Sequence, residues 1–211
     1  MAADPALIAL FARGWAMTRR LATPQRFHGG LYIEVGEPDQ KARYIFPAFE
    51  REVIAELVRT IREPWIFLKI CDSPDKVRAV LPSGWILRES QTWIMTCAIA
   101  SAIVQLPRTY TLSIHEKGSS LLQATVHHGD EVVASGRLAL LGETVLFDQI
   151  VTDQAHRRRG LGRSVMQALS NAALDRGAHR DLLSATEMGH DLYRTLGWSV
   201  HAPYTSAVIP G

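Results

Sequence analysis

One segment restricts the fold more than any other. A strand, Thr144–Val151, runs into a basic loop, and the loop opens a helix through Gly160-Leu161-Gly162. On that helix Leu161, Val165, Leu169 and Ala173 lie one turn apart, and Gly177 stands where a C-terminal cap is needed. Leu182–Ala185 then reads as a further short strand. Strand, turn, helix and strand in that order call for an α/β architecture.

The turn also carries chemistry. Gly160 and Gly162 lack the Cβ that would hold a bulky ligand off the backbone. The N–H groups of the first helical turn have no helical acceptor and can point at phosphate oxygens. Arg158, Arg159 and Arg163 add charge and several donors. A dinucleotide fingerprint would require a third glycine, and Ser164 and Val165 supply none; the Gly-Lys-Ser/Thr of an ATPase loop is absent. A diphosphate held without either motif fits this turn.

The rest of the chain is compatible with a globular protein. Of 211 residues 47% are apolar, with charges of both signs, enough to bury roughly 70% of the unfolded surface. A net charge of +2 is too small for a nucleic-acid partner, and the run Arg157-Arg158-Arg159 suits one ligand. Cys71 and Cys97 lie in apolar surroundings and form no CxxC pair, so free buried thiols in a reducing cytoplasm are expected. Asp4, with Arg13, Arg19 and Arg20 after the first apolar run, makes a poor signal peptide. The stretch Trp93 to Leu106 is too short and too polar to span a bilayer, so no membrane association is expected.

Hydrophobic spacing predicts helices over 5–22, Phe49–Ile61 and Asp75–Leu81, and strands at Leu31–Val35, Trp65–Ile70, Trp85–Leu87 and Thr92–Thr96. From Thr109 the period becomes two. Tyr110, Leu112 and Ile114 alternate with polar residues, and Leu122–His127 and Glu131–Leu141 flank a tight turn at His128-Gly129-Asp130. A short helix at Asp191–Leu196 precedes two closing strands, Trp198–His201 and Tyr204–Ile209. Helix, strand, short helix, Gly-Trp and a strand pair occur twice, with the steps at Gly84-Trp85 and Gly197-Trp198. This faint repeat points to two like-folded lobes.

Arg157-Arg158-Arg159-Gly160-Leu161-Gly162 resembles the Gln/Arg-x-x-Gly-x-Gly/Ala pyrophosphate loop of the GCN5-related N-acetyltransferase (GNAT) superfamily, and Leu192-Tyr193-Arg194-Thr195-Leu196-Gly197-Trp198 resembles its Leu-Tyr-x-x-x-Gly-Phe block. The resemblance covers roughly 109–211. It implies the acyl-CoA N-acyltransferase fold, an α/β (α+β mixed) sheet, as a tandem of a degenerate lobe at 1–108 and a complete catalytic domain at 109–211.

It also implies acetyl-CoA as cosubstrate; no His/Cys/Asp cluster has metal-site spacing, so no metal is expected. Backbone groups of Gln149, Ile150 and Val151 would meet the pantetheine arm. The loop Arg157, Arg158, Arg159, Gly160, Leu161, Gly162, Arg163 and Ser164 would hold the pyrophosphate. Tyr193 would protonate the leaving thiolate. Thr186 stands where the family often has asparagine, and it too can hydrogen-bond. Asp148 and Glu187, on the loop after the Leu182–Ala185 strand, are candidate bases, with His127, His128 and His190 as further choices. No nucleophilic Ser or Cys has a signature, so direct attack by an amine in a ternary complex is favoured over a covalent enzyme intermediate. The expected acceptor is a small molecule, amino acid or peptide amine, and the expected assembly a monomer or homodimer. A non-catalytic acyl-CoA-binding or protein-interaction module is the alternative.

Overall fold

Asp4 begins the first helix. Its carboxylate accepts from the Ala6 N–H at 2.9 Å, and Pro5 supplies a φ already set for a helix. In the computed structural model, which describes residues 3–211 apart from the side chains of Met188 and Leu192, this helix is α1 (Pro5–Thr18). The chain forms two compact units, Met1–Thr96 with Ser184–Gly211, and Cys97–Leu183.

In the first unit, β1 (Gln25–Phe27), β2 (Gly30–Glu37) and β3 (Gln40–Phe46) form an antiparallel meander. Helix α2 (Arg51–Thr60) then crosses to β4 (Ile66–Ile70), which lies parallel to β3 from Ala42–Ile66 to Phe46–Ile70. Ile54, Leu57 and Val58 recur at helical spacing and pack with Phe46, Leu68 and Ile70. Burying each such side chain contributes about 1.5–3 kcal/mol. Next come α3 (Pro74–Arg78), β5 (Ile86–Leu87) and β6 (Thr92–Ala98), the boundary between units falling inside β6.

The last strand, β12 (Ser199–Val208), also belongs to this unit, with β4 on one edge and β6 and β5 on the other. It replaces the two closing strands expected from the sequence. The register with β6 slips between Val200 and Ala202, so the chain bulges there without breaking. Pro203 pairs with Trp93, whereas the β4 ladder covers only Thr205–Ala207. Its missing N–H therefore leaves no gap in that ladder.

The second unit holds β7 (Thr111–Glu116), β8 (Leu121–His128), β9 (Glu131–Leu141) and β10 (Thr144–Thr152), successive antiparallel neighbours. Helix α4 (Leu161–Leu174) follows and packs on β8, β9 and β10 through Val165 and Leu169, both buried. Gly177 ends it with φ 81, its N–H on the Leu174 carbonyl at 2.9 Å and that of Ala178 on Ala173 at 3.1 Å. That is the left-handed cap which the glycine announces in the sequence. The chain returns through β11 (Arg180–Thr186), parallel to β10 over Thr144–Leu146. A parallel pair joined by a crossover helix thus occurs twice, as β3–α2–β4 and as β10–α4–β11.

Candidate active site

The phosphate turn depends on how β10 ends. Its register with β9 runs to Asp148–Arg137 and resumes at Val151–Ser135. Two residues, Gln149 and Ile150, thus oppose the single Gly136, with Gln149 at φ 55. This is a β-bulge with its extra residue in the left-handed region, costly outside glycine. A Cβ at Gly136 would overlap Ile150 Cδ1 and come within 2.7 Å of Val165 Cγ1. Glycine is therefore needed where the bulge and α4 converge on β9. The parallel ladder with β11 ends at Leu146–Leu182 while β10 continues to Thr152. Gln149, Ile150 and Val151 lie past its end, outside the parallel ladder.

Past the bulge, Asp153 Oδ1 accepts from the Ala155 N–H at 2.8 Å and closes a single 3₁₀ turn, Gln154–His156. Arg157 Nε donates to the Thr152 carbonyl at 3.3 Å, pinning the loop back on the strand. Arg158 sits at φ 60 and Gly160 at φ 78, with Gly160 as the N-cap of α4. The first helical bond is Ser164 N–H to the Gly160 carbonyl at 2.9 Å. The amides of Leu161, Gly162 and Arg163 precede it, so the helix geometry leaves them without helical acceptors. A Cβ at Gly160 would meet nothing within 4 Å, and one at Gly162 only Thr152 Oγ1 at 3.4 Å. Gly160 is thus required by its backbone conformation rather than by crowding from the protein.

Not every expected cation faces the turn. Arg159 Nη1 donates to the Tyr110 hydroxyl at 2.6 Å and Nη2 to the Ala155 carbonyl at 3.3 Å. The Tyr110 hydroxyl lies 2.9 Å from His156 Nδ1, and the Tyr110 and His128 rings are 5.1 Å apart. Sequence spacing gave no hint of this cluster, since Tyr110 and Arg159 are 49 positions apart. The Ser164 hydroxyl is spent inside the fold, donating to the Gln105 carbonyl at 2.5 Å and sharing the Gly160 carbonyl at 3.1 Å. Arg159, Gly160, Arg163 and Ser164 border a cavity of about 630 Å³ whose other wall is the segment Ala102–Pro107. Its size lies in the range of ligand pockets.

Asp148, half-buried on β10, is paired in register with Arg137 and stands at the start of the bulge. His127 Nε2 lies 3.2 Å from Thr125 Oγ1, and His128 ends β8 in the hairpin while packing on Tyr110.

The remaining expected residues lie in the first unit. Thr186 is the N-cap of α5 (Glu187–Thr195), its hydroxyl 3.4 Å from the Gly189 N–H. Glu187 is therefore the exposed first residue of a helix, not a loop residue; the cap starts α5 four residues earlier than hydrophobic spacing alone indicates. Tyr193 sits two turns along, its ring centroid 5.6 Å from that of Trp198. Burial raises its phenol pKa above the usual tyrosine value, so it stays protonated at neutral pH. Gly189 allows this packing, because a Cβ there would come within 3.1 Å of Tyr193 Cε2. His190 stacks on Trp93 at 4.5 Å and pairs with exposed Asp191.

Among the described residues no group of three His, Cys, Asp or Glu has metal-site geometry, and no helix is long and apolar enough to cross a membrane. Neither Cys71 nor Cys97 is in a disulfide.

The model of the Acetyltransferase (GNAT) family matches residues 88–198, more than half of the chain. No curated protein matches the sequence. Among solved structures, a GCN5-related N-acetyltransferase from Kribbella flavida aligns with TM-score 0.67 and 15% identity over 96% of this chain and 95% of that one. One from Sphaerobacter thermophilus gives 0.61 and 13% over 100% and 95%. A tandem GNAT protein from the clavulanic acid biosynthesis pathway gives 0.61 and 13% over 99% and 96%. At these identities the likeness establishes the fold, a mixed α/β sheet of the acyl-CoA N-acyltransferase type.

Proposed function

Because the chain belongs to the GNAT acetyltransferase family, we propose that it transfers an acetyl group from acetyl-CoA to a primary amine of a small molecule, amino acid or peptide. The observation that carries this reading is the left-handed Gly160 cap on the loop that follows the bulged β10, from which α4 starts with the amides of Leu161–Arg163 lacking helical acceptors. Diphosphate oxygens accept from such amides, and the positive end of the helix dipole adds to the attraction. Arg158 and Arg163, both exposed, supply further donors, while Arg159 braces the loop through Tyr110. The backbone of Gln149, Ile150 and Val151 is suited to an extended amide-bearing arm.

Acetyl-CoA supplies an activated thioester acyl group. The chain's own residues then have two tasks: to orient the amine, and to manage the protons released and needed. Tyr193 is assigned the donation to the leaving sulfur, since its phenol remains protonated at neutral pH. Asp148 and Glu187 are the candidate proton acceptors for the incoming amine. Positioning alone accounts for much of the rate in a ternary complex. The two lobes are read as the products of a duplication, 1–108 and 109–211, with acyl-CoA held by the second.

Calorimetry with CoA tests the loop, and thioester consumption across an amine panel tests the activity. Tight binding without turnover would replace the enzyme by an acyl-CoA-binding module.

A further inference from the structure

The phosphate turn is held by a residue from outside it. Residues 99–110 form neither helix nor strand, and α4 ties them down at two points. Asn171 clasps Ala102, donating from Nδ2 to its carbonyl at 2.8 Å and accepting from its N–H at 3.1 Å. Two helical turns earlier, the Ser164 hydroxyl donates to the Gln105 carbonyl at 2.5 Å. The Tyr110 N–H then closes a turn on the Pro107 carbonyl at 3.0 Å, just before β7. This tethered segment delivers the Tyr110 side chain to the basic loop.

Tyr110 is only 5% exposed. Arg159 Nη1 donates to its hydroxyl at 2.6 Å, and His156 Nδ1 lies 2.9 Å from the same oxygen. A guanidinium can only donate, and the phenol has one proton of its own. Among the described residues the hydroxyl has no further hydrogen-bond partner, so His156 Nδ1 accepts that proton. The bonds therefore run one way, from Arg159 to Tyr110 to His156. The charge on Arg159 polarises the phenol and strengthens its own donation.

One buried oxygen thus holds both sides of the step Arg157-Arg158. His156 ends the 3₁₀ turn, and Arg159 directly precedes the Gly160 cap. Between them Arg158 has φ 60, a left-handed arginine that persists only where its surroundings fix it. We propose that Tyr110 is the positioning residue of the phosphate turn, acting through Arg159, whose guanidinium braces the loop and does not bind the diphosphate. Two of its three nitrogens are engaged, by Tyr110 and by the Ala155 carbonyl at 3.3 Å. Direct recognition falls to the amides of Leu161–Arg163 with Arg158 and Arg163. This role rests on the reading of the turn as a diphosphate site.

Tyr110→Phe keeps the ring and removes only the hydroxyl. It is expected to weaken CoA about tenfold in calorimetry, the loss of one charge-assisted bond. Arg159→Lys keeps the charge but not the planar fork that spans Tyr110 and Ala155, and should lose as much. The double variant should lose no more than either single one, whereas independent roles would multiply to about a hundredfold. Amide exchange without ligand supplies a readout that a general loss of stability would not reproduce. In Tyr110→Phe it should quicken over 156–163 and match the wild type over 167–174. Unchanged CoA affinity in either single variant would overturn the brace. So would multiplied losses, which would make Arg159 a ligand, or exchange quickened along all of α4, which would leave Tyr110 a structural role alone. Arg159 is exposed, so Arg159→Lys decides between brace and ligand even if Tyr110→Phe does not fold. A wild-type chain that binds no CoA would overturn the diphosphate reading instead, with exchange over 156–163 still judging the brace.

Discussion

Gly136 and Ile150 meet across the β9–β10 ladder with no space for another carbon between them. A Cβ at position 136 would overlap Ile150 Cδ1 and press on Val165 Cγ1 at 2.7 Å. The contact joins the bulge that opens β10 to the helix that begins at the phosphate turn. Its position shows why the bulge holds its shape: Ile150 is anchored over the one residue on β9 with no side chain.

Gly136→Ala is expected to destabilise the protein by roughly 1–3 kcal/mol through overpacking. Ile150→Ala in the same chain should recover part of that loss, because the clashing methyl is gone. Thermal or urea unfolding of the single and double variants measures the coupling. Strictly additive effects would mean that the two residues do not oppose one another.

Gly160→Val should weaken CoA binding far more than it lowers stability. With φ 78, a non-glycine residue there carries about 1–2 kcal/mol of strain, yet a Cβ would touch nothing within 4 Å. The strain is relieved by turning the N-cap, which re-aims the amides of Leu161–Arg163. Gly160→Asn tolerates the left-handed region better and should lose less affinity. Calorimetry with CoA separates the two, and equal affinity for all three proteins would remove the loop from the binding site.

Local chemistry explains what the sequence revealed. The strand, the loop, Gly160 and α4 are contiguous, so each residue's role follows from its neighbours, and Gly177 announces its cap in the same way. Strand β3 is absent from the strands that hydrophobic spacing predicts; Lys41 and Arg43 interrupt its apolar run. Arg43 is accommodated by Trp15, 28 positions away, which no window of spacing can show. The same holds for Gly136, whose necessity depends on register with Ile150, and for Arg159, whose partner Tyr110 comes from before β7. Glu187 falls in a loop when only hydrophobic spacing is used, whereas Thr186 as N-cap puts it in the first turn of α5.

Tyr193→Phe is expected to reduce kcat by roughly a hundredfold, within the span of general acid effects, while acetyl-CoA affinity changes little. Burial raises the phenol's pKa. The donor form therefore persists as pH rises through neutrality, and any loss of rate from its ionisation falls above the ordinary tyrosine range. Steady-state kinetics from pH 6 to 9 with an active amine would check both points. An unaltered kcat in the variant would withdraw the role.

Asp181 makes the clearest prediction about stability and pH. It lies on β11 opposite Val145, only 5% exposed, with Oδ2 accepting from Ser170 Oγ at 3.0 Å and Oδ1 without a partner among the described residues. Burial raises its pKa to about 7, against which the Ser170 bond works only partly. In the unfolded chain a carboxyl titrates near pH 4, so between these values the folded protein binds the extra proton. Stability from this group is therefore full below about pH 4, falls as pH rises towards 7, and is flat beyond, a loss on the order of 4 kcal/mol. Asp181→Asn keeps an acceptor for Ser170 and has no charge to desolvate. The difference in melting temperature between variant and wild type should grow from pH 4 to 7 in favour of the variant and then stay constant. A constant difference across that range would show that the carboxyl is not held protonated by burial.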